Sequence, residues 1–383
     1  MLEAEYAGFG ASGRNGGWCS GLFPVPVSAL ARRHGRDAAV AMHRALAASV
    51  DEVGRAAAAE GIDCSFAKGG TVALARSAAQ LRRAEASARE AEEYGLDVRL
   101  LDAAAAAGIC GATGVRGGTF SPDCASLQPA TLVRGLATAV ERGGVAIYEG
   151  TRALRLSRGS VVTDHGTVRA DVVVRALEGY TSGLAGHRHA LAPVYSLMIA
   201  TEPLPPSAWE RIGLARRETF TDYRHLIVYG QRTADDRLAF GGRGAPYHFG
   251  SRVRPAYDRE PAVFDALRRA LADLFGVSMP VEYRWGGPLG IPRDWMPSVG
   301  LRDGVAWAGG YVGDGVAAAN PGRPDARRPD HRRRHRPDRA ALGRAPVPAL
   351  GTGAAALAGH QLRPARDRPA RPAGTRPSLG FRE

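Results

Sequence analysis

Two glycine-dense segments carry the residue types best suited to holding a large anionic ligand. The first, Gly8-Phe9-Gly10-Ala11-Ser12-Gly13-Arg14-Asn15-Gly16-Gly17, follows Leu2-Glu3. A loop poor in β-carbons lets backbone amides approach a pyrophosphate or a flat ring, and Arg14 supplies a charge-assisted contact. An acid such as Glu3, at the end of the second strand of a dinucleotide-binding unit, accepts hydrogen bonds from ribose hydroxyls. The second segment, Gly309-Gly310-Tyr311-Val312-Gly313-Asp314-Gly315, opens onto Val316-Ala317-Ala318-Ala319. Glycines ahead of a helix N-terminus leave amides that converge with the helix dipole, which suits negative charge. Between the two lies Val172-Val173-Val174, an apolar run of the kind buried on both faces of a parallel sheet, leading into Glu178-Gly179-Tyr180. Each segment alone fits an ordinary surface loop or core strand equally well.

The elements that must position these segments follow from periodicity. Residues 28–60 and 77–94 read as helices, and Lys68–Arg76 as a strand after a turn. Gln128–Arg142 is a helix with Leu132, Val133, Leu136 and Val140 on one side. Gly143-Gly144 ends it, and Val145-Ala146-Ile147-Tyr148 reads as a strand. A short meander occupies 153–169. From about Pro193 to Gly287 the texture becomes β-rich (Tyr195–Ala200, His225–Gly230, Leu238–Gly241), with a helix at 262–275. Val305–Ala308 is a further strand. The fold class expected is α/β (α+β overall): an incomplete Rossmann-like nucleotide domain with a mainly antiparallel β lobe.

In that lobe Tyr223, Arg224, His225, Tyr229, Arg243 and Tyr247 are candidates to meet a substrate carboxylate, and each fits a structural role as well. Asp294 is placed to cap a turn before Trp295. Cys19, beside the first glycine loop, reads as a small buried core thiol. No acid or base is assigned a catalytic role, and no metal site is expected.

The net charge is +13, but 15 Arg against 5 acidic residues lie in 321–383, so +10 of it belongs to that stretch. A nucleic-acid partner is therefore not expected of the folded body. Four widely spaced cysteines without a CxxC pair fit a reducing, cytoplasmic setting, and no apolar run has the length of a membrane helix.

Together and in this order, the segments LEAEYAGFGASGRNGGW at 2–18, VVVRALEGYT at 172–181, GPLGIPRDWMPSVG at 287–300 and GVAWAGGYVGDGVAAAN at 304–320 resemble the FAD-dependent oxidoreductases of the D-amino-acid oxidase superfamily. The likeness is greatest to the bacterial branch with glycine oxidase, sarcosine oxidase and gamma-glutamylputrescine oxidase. The resemblance implies non-covalent FAD and oxidation of the C–N bond of a small amine or amino acid by hydride transfer, with oxygen or another acceptor reoxidising the flavin. It implies that Glu3 binds the adenosine ribose and that Ala11, Ser12, Gly13, Arg14, Asn15, Gly16 and Gly17 lie along the pyrophosphate and flavin. Val145 would meet the adenine through its backbone, and Gly310, Tyr311, Gly313, Asp314 and Gly315 would lie near the flavin ring. It divides the chain into an FAD-binding domain (1–60, 120–190 and 288–320) and a substrate-binding lobe (61–119 and 191–287).

Two departures from the family pattern accompany this. The GxGxxG turn that precedes the Leu2-Glu3 strand is not found. Residues 321–383 replace a helix of the type NLAGRTLADLITG: a GC-rich coding string that gives PGRPDARRPDHR in one frame gives LAGRTLADLIT in the next. The chain is thus expected to be a truncated copy with an out-of-frame, disordered tail, and the alternative to an active enzyme is an inactive product that no longer holds FAD.

Overall fold

The computed structural model describes residues 1–244 and 247–320 and, for Arg243, the backbone; the expected out-of-frame tail lies outside the described residues. An eight-stranded sheet dominates them. Its spatial order is Val281–Ile291, Ala192–Thr201, Leu238–Arg243, Val228–Arg232, Thr219–Asp222, Thr71–Ala75, Gly117–Ser121 and Arg99–Leu101. All its pairings are antiparallel except that of Thr71–Ala75 with Thr219–Asp222. The sequence-based expectation of a mainly antiparallel lobe holds.

The sheet has two different faces because side chains alternate along a strand. Tyr195, Leu197 and Ile199 point into the main core with Val72, Leu74, Phe220, Leu238 and Phe240. The helix Pro261–Phe275 seals that core. Its Val263, Phe264, Leu267, Leu271 and Leu274 fall at helical spacing on one side. Pro261 starts the helix, and Gly276, at φ +68°, ends it in the left-handed conformation. Ser196 and Met198 point to the opposite face, in register with Gly287 and Trp285 on one neighbour and with Arg243 and Gly241 on the other.

Smaller sheets and helices complete the described structure. Val305–Gly309 pairs parallel with Val173–Arg175 and antiparallel with Ser298–Arg302. Trp18–Ser20 pairs with Cys124–Ser126, and the 153–169 meander forms as expected. The helix Arg36–Ala59 packs Val50, Val53 and Ala57 against Cys19, Leu127 and Ala317.

Three sequence expectations need correction. Val145–Tyr148 is not a strand: it makes one parallel bridge, Tyr148 to Leu2. Leu2-Glu3 is likewise limited to that bridge and its flanking hydrogen bonds, Glu3 N–H to Tyr148 O at 2.9 Å and Thr151 N–H to Glu3 O at 2.8 Å. Val172–Val174 is not buried on both faces. Val173 is 4% exposed, but Val172 and Val174 are 56% and 63% exposed: side chains alternate between the faces of a strand, and the face that carries Val172 and Val174 is open to solvent.

Since Leu271 is 1% exposed at the helix–sheet contact, Leu271→Ala is expected to cost about 2–5 kcal/mol in urea unfolding. A loss below about 1 kcal/mol would show that the helix is not clamped on the sheet.

Candidate functional site

The first glycine segment lies against the open face of the large sheet. Ala11–Arg14 makes one helical turn, and Asn15 closes it: its Nδ2 donates to Ala11 O at 3.0 Å and Ser12 O at 3.1 Å, while its Oδ1 accepts from Gly17 N–H at 2.8 Å. Gln231 then donates to Gly16 O at 2.8 Å. The Tyr229 ring covers Gly16 so closely that a β-carbon there would stand 2.4 Å from it. Tyr229 is itself fixed by Ser196, hydroxyl to hydroxyl at 2.9 Å, and by an edge contact with Trp18. Trp285 donates from Nε1 to Arg14 O at 2.9 Å. Gly17, at φ +71°, leaves no room either: a β-carbon would meet Leu127 O at 2.3 Å.

Arg14 is held on three sides. Its guanidinium donates to Asp258 at 2.7 Å and to the Tyr180 hydroxyl at 2.8 Å, and lies 4.7 Å from the centre of the Phe9 ring. Burial pushes the Asp258 carboxyl up despite the opposing pull of Arg14, and burial raises the Tyr180 hydroxyl in the same way. Arg14 is thus a bridge between the glycine loop, the Glu178–Gly183 turn and the sheet lobe.

The second glycine segment reaches the same junction. Its helix Gly315–Ala318 puts Ala317 into the core with Cys19 and Leu127, and its Tyr311 N–H donates to Glu178 Oε1 at 2.8 Å. Glu3 and the 145–148 segment lie side by side through the Leu2–Tyr148 bridge. Glu3 Oε1 accepts from Glu5 N–H at 3.0 Å, and Val145 is 46% exposed.

The six sheet-lobe candidates do not gather at one point. Tyr229 stands at the glycine loop. Tyr223 lies farther along the sheet, its hydroxyl 2.8 Å from that of Thr119, with Arg83 donating to its carbonyl and 3.4 Å from His225. Arg224 is committed to Asp222, which is 1% exposed at its side chain. Tyr247 bonds Ser251 at 3.1 Å and packs beside Ala192, Ile291 and Val312. Arg243 ends its strand opposite Ser196. Asp294 accepts from Met296 N–H at 3.2 Å, the turn cap expected of it. Asp258, Gln231 and Trp285 were not singled out from sequence, whereas Tyr180 lies in the 172–181 segment that was. Of the other three, only Trp285, two residues before the Gly287 segment, lay near a quoted motif.

Several buried polar atoms at this junction have no partner: Arg14 Nε, Trp18 Nε1, Gln231 Oε1 and Glu178 Oε2. Each such group costs about 1–3 kcal/mol, so their convergence on loops that exclude β-carbons fits a polar, flat ligand. Two open surface concavities, of about 520 and 460 Å³, lie elsewhere, around Arg134 and Arg142 and around Phe120 and Arg216. They contain none of these residues. Among the described residues no helix is long and apolar enough to cross a membrane.

The fold is mixed α/β with a mainly antiparallel sheet, and its glycine-dense loops are of the kind that hold a nucleotide cofactor. Residues 1–323 match the model of the DAO family, described as FAD dependent oxidoreductase, and the chain belongs to that family. It is an oxidoreductase whose cofactor is FAD, and the glycine loops and orphaned polar atoms fit that group. The chain is 28% identical over 327 residues to gamma-glutamylputrescine oxidoreductase of Escherichia coli, covering 84% of this chain and 75% of that one. Among solved structures it is similar in fold to glycine oxidase from Geobacillus kaustophilus (TM-score 0.63, 19% identity, 84% and 86% covered). It is similarly related to L-amino acid deaminase from Proteus vulgaris (TM-score 0.61, 19% identity, 82% and 79% covered).

Two outcomes follow from this geometry. Gly17→Ala is expected to cost at least about 1–3 kcal/mol in thermal or urea unfolding, and an unchanged midpoint would contradict the close packing of this loop. Burial raises all four cysteine thiols, pushing Cys19 and Cys110 up to about 12. At pH 8 they therefore stay protonated and enclosed. An aromatic disulfide reagent is expected to titrate none of the four within minutes in the folded chain and all four after denaturation; rapid labelling of Cys19 in the native state would show that its packing is wrong.

Proposed function

We propose that this chain oxidises the C–N bond of a small amine or amino acid, with FAD held between the two glycine segments and the substrate over the open sheet face. The observation that carries this reading is the seating of Gly16 and Gly17 under Tyr229 and Gln231, which joins the cofactor loop directly to the sheet. FAD, when bound, supplies the hydride acceptor. Residues 1–60, 120–190 and 288–320 serve the cofactor in this reading, and 61–119 and 191–287 the substrate.

The protein's own part is positioning. The loop of Ala11, Ser12, Gly13, Arg14, Asn15, Gly16 and Gly17 lies along the pyrophosphate and ring. Glu3 meets the ribose, and the backbone at Val145 the adenine. Gly310, Tyr311, Gly313, Asp314 and Gly315 lie near the ring, with the Tyr311 amide committed to Glu178 and the Asp314 amide to the Tyr311 carbonyl. Arg14 is tied to Asp258, so it serves by shaping the loop. Tyr229, with Tyr223 and His225 farther along the sheet, offers hydroxyl and imidazole groups to a carboxylate or amine, Arg243 ends its strand opposite Ser196, and Arg224 supports the sheet through Asp222. The name of the E. coli relative favours an amine carrying a gamma-glutamyl group. Oxygen or another acceptor returns the flavin to its oxidised state, and a cytoplasmic location suits four buried thiols.

The test is absorbance. After incubation with FAD and gel filtration, the full chain is expected to keep bands near roughly 370 and 450 nm that fade under anaerobic addition of a gamma-glutamyl diamine or a small amino acid. A colourless eluate would refute the reading. Retained colour that no amine or amino acid bleaches would refute the reaction class.

A further inference from the structure

Glu178 sits where three stretches of backbone cross. It opens the turn Glu178–Gly183 at φ +44°, a conformation that a β-carbon disfavours. Oε1 accepts from Tyr311 N–H at 2.8 Å. Oε2 is buried without a partner and faces Gly290, where a β-carbon would stand 2.0 Å from it. The next residue presses on the same strand: a β-carbon on Gly179 would lie 2.6 Å from Pro288 O. Residues 178–179 therefore lie on 288–290 of Val281–Ile291, while the carboxylate holds the 309–314 loop.

That loop needs holding. Gly309, Gly310 and Gly313 have positive φ, and so does Val312 at +59°, which costs a β-branched residue of order 1–3 kcal/mol. Val312 is fully buried against Ala192 and Ile291, so packing from the sheet lobe offsets the strain. Burial raises the Glu178 carboxyl, and the Tyr311 amide foremost among the nearby backbone pulls it back down.

We propose that Glu178 is a positioning residue: its side chain staples the Gly310–Tyr311 backbone to the Val281–Ile291 strand and so fixes the wall at the ring end of the cofactor site. The cofactor half of this statement rests on the reading under Proposed function; the staple does not.

The experiment is hydrogen exchange by mass spectrometry on the full chain, with FAD affinity measured alongside. In Glu178→Ala, peptides covering 309–315 are expected to exchange about tenfold faster, the loss of one charge-assisted hydrogen bond. Glu178→Gln, whose amide oxygen still accepts, is expected to stay within about threefold of the parent. FAD affinity should fall about tenfold in Glu178→Ala and be largely kept in Glu178→Gln. Unchanged exchange in Glu178→Ala overturns the staple. Faster exchange with unchanged FAD affinity overturns the cofactor role. If the parent chain binds no FAD, the functional reading fails and the exchange arm alone decides the staple. Should Glu178→Ala not fold, Glu178→Asp, one methylene too short to reach Tyr311, must show the same faster exchange, and slow exchange there overturns the staple.

Discussion

The packing of Gly16 and Gly17 onto the sheet is the constraint from which the rest of the site follows. A β-carbon at Gly16 would enter the Tyr229 ring, and one at Gly17 would enter the Leu127 carbonyl and Gln231. With no side chain in the way, the loop backbone comes within hydrogen-bond reach of Gln231, and Trp285 reaches the carbonyl of Arg14. The alternation of the sheet does the rest. The same strand that buries Leu197 and Ile199 on one face offers Ser196 and Met198 on the other, and Ser196 fixes the tyrosine that covers the loop.

Charge is arranged to serve this packing. From its type alone Arg14 is expected to face a phosphate. In the structure it ties three elements together through Asp258, Tyr180 and Phe9. Partly buried pairs of this kind lose more when one partner is removed than the pair adds when intact, so Arg14 is better understood as a fixture of the loop. Glu178 plays a comparable part at the other glycine segment.

Much of the fold was legible in the residues. The helices Ala78–Glu93, Pro129–Arg142 and Pro261–Phe275 follow from local periodicity, and the side chains of Ser77 and Gln128 cap the first two. The β-rich texture after Pro193 became the strands of one antiparallel sheet. What local pattern misjudged was partnership. Val172-Val173-Val174 has the composition of a strand buried on both faces, yet burial depends on what packs over each face, and the face of Val172 and Val174 is open. Val145–Tyr148 has strand composition but only a bridge to pair with. The site was legible where glycines recur at close spacing. Asp258 and Gln231 stayed hidden, because they lie 244 and 215 residues from the atoms they hold, and nothing in their local sequence marks a tertiary contact.

The central claim is that the glycine loop and the sheet face beside it form an FAD site. Trp18 and Trp285 flank that loop, so titrating FAD into the full chain while following tryptophan fluorescence tests it most directly. The account expects saturable quenching that ends at one FAD per chain and weakens in Gly16→Ala, whose β-carbon displaces Tyr229. A fluorescence change that never saturates, or that is the same in Gly16→Ala, would contradict it.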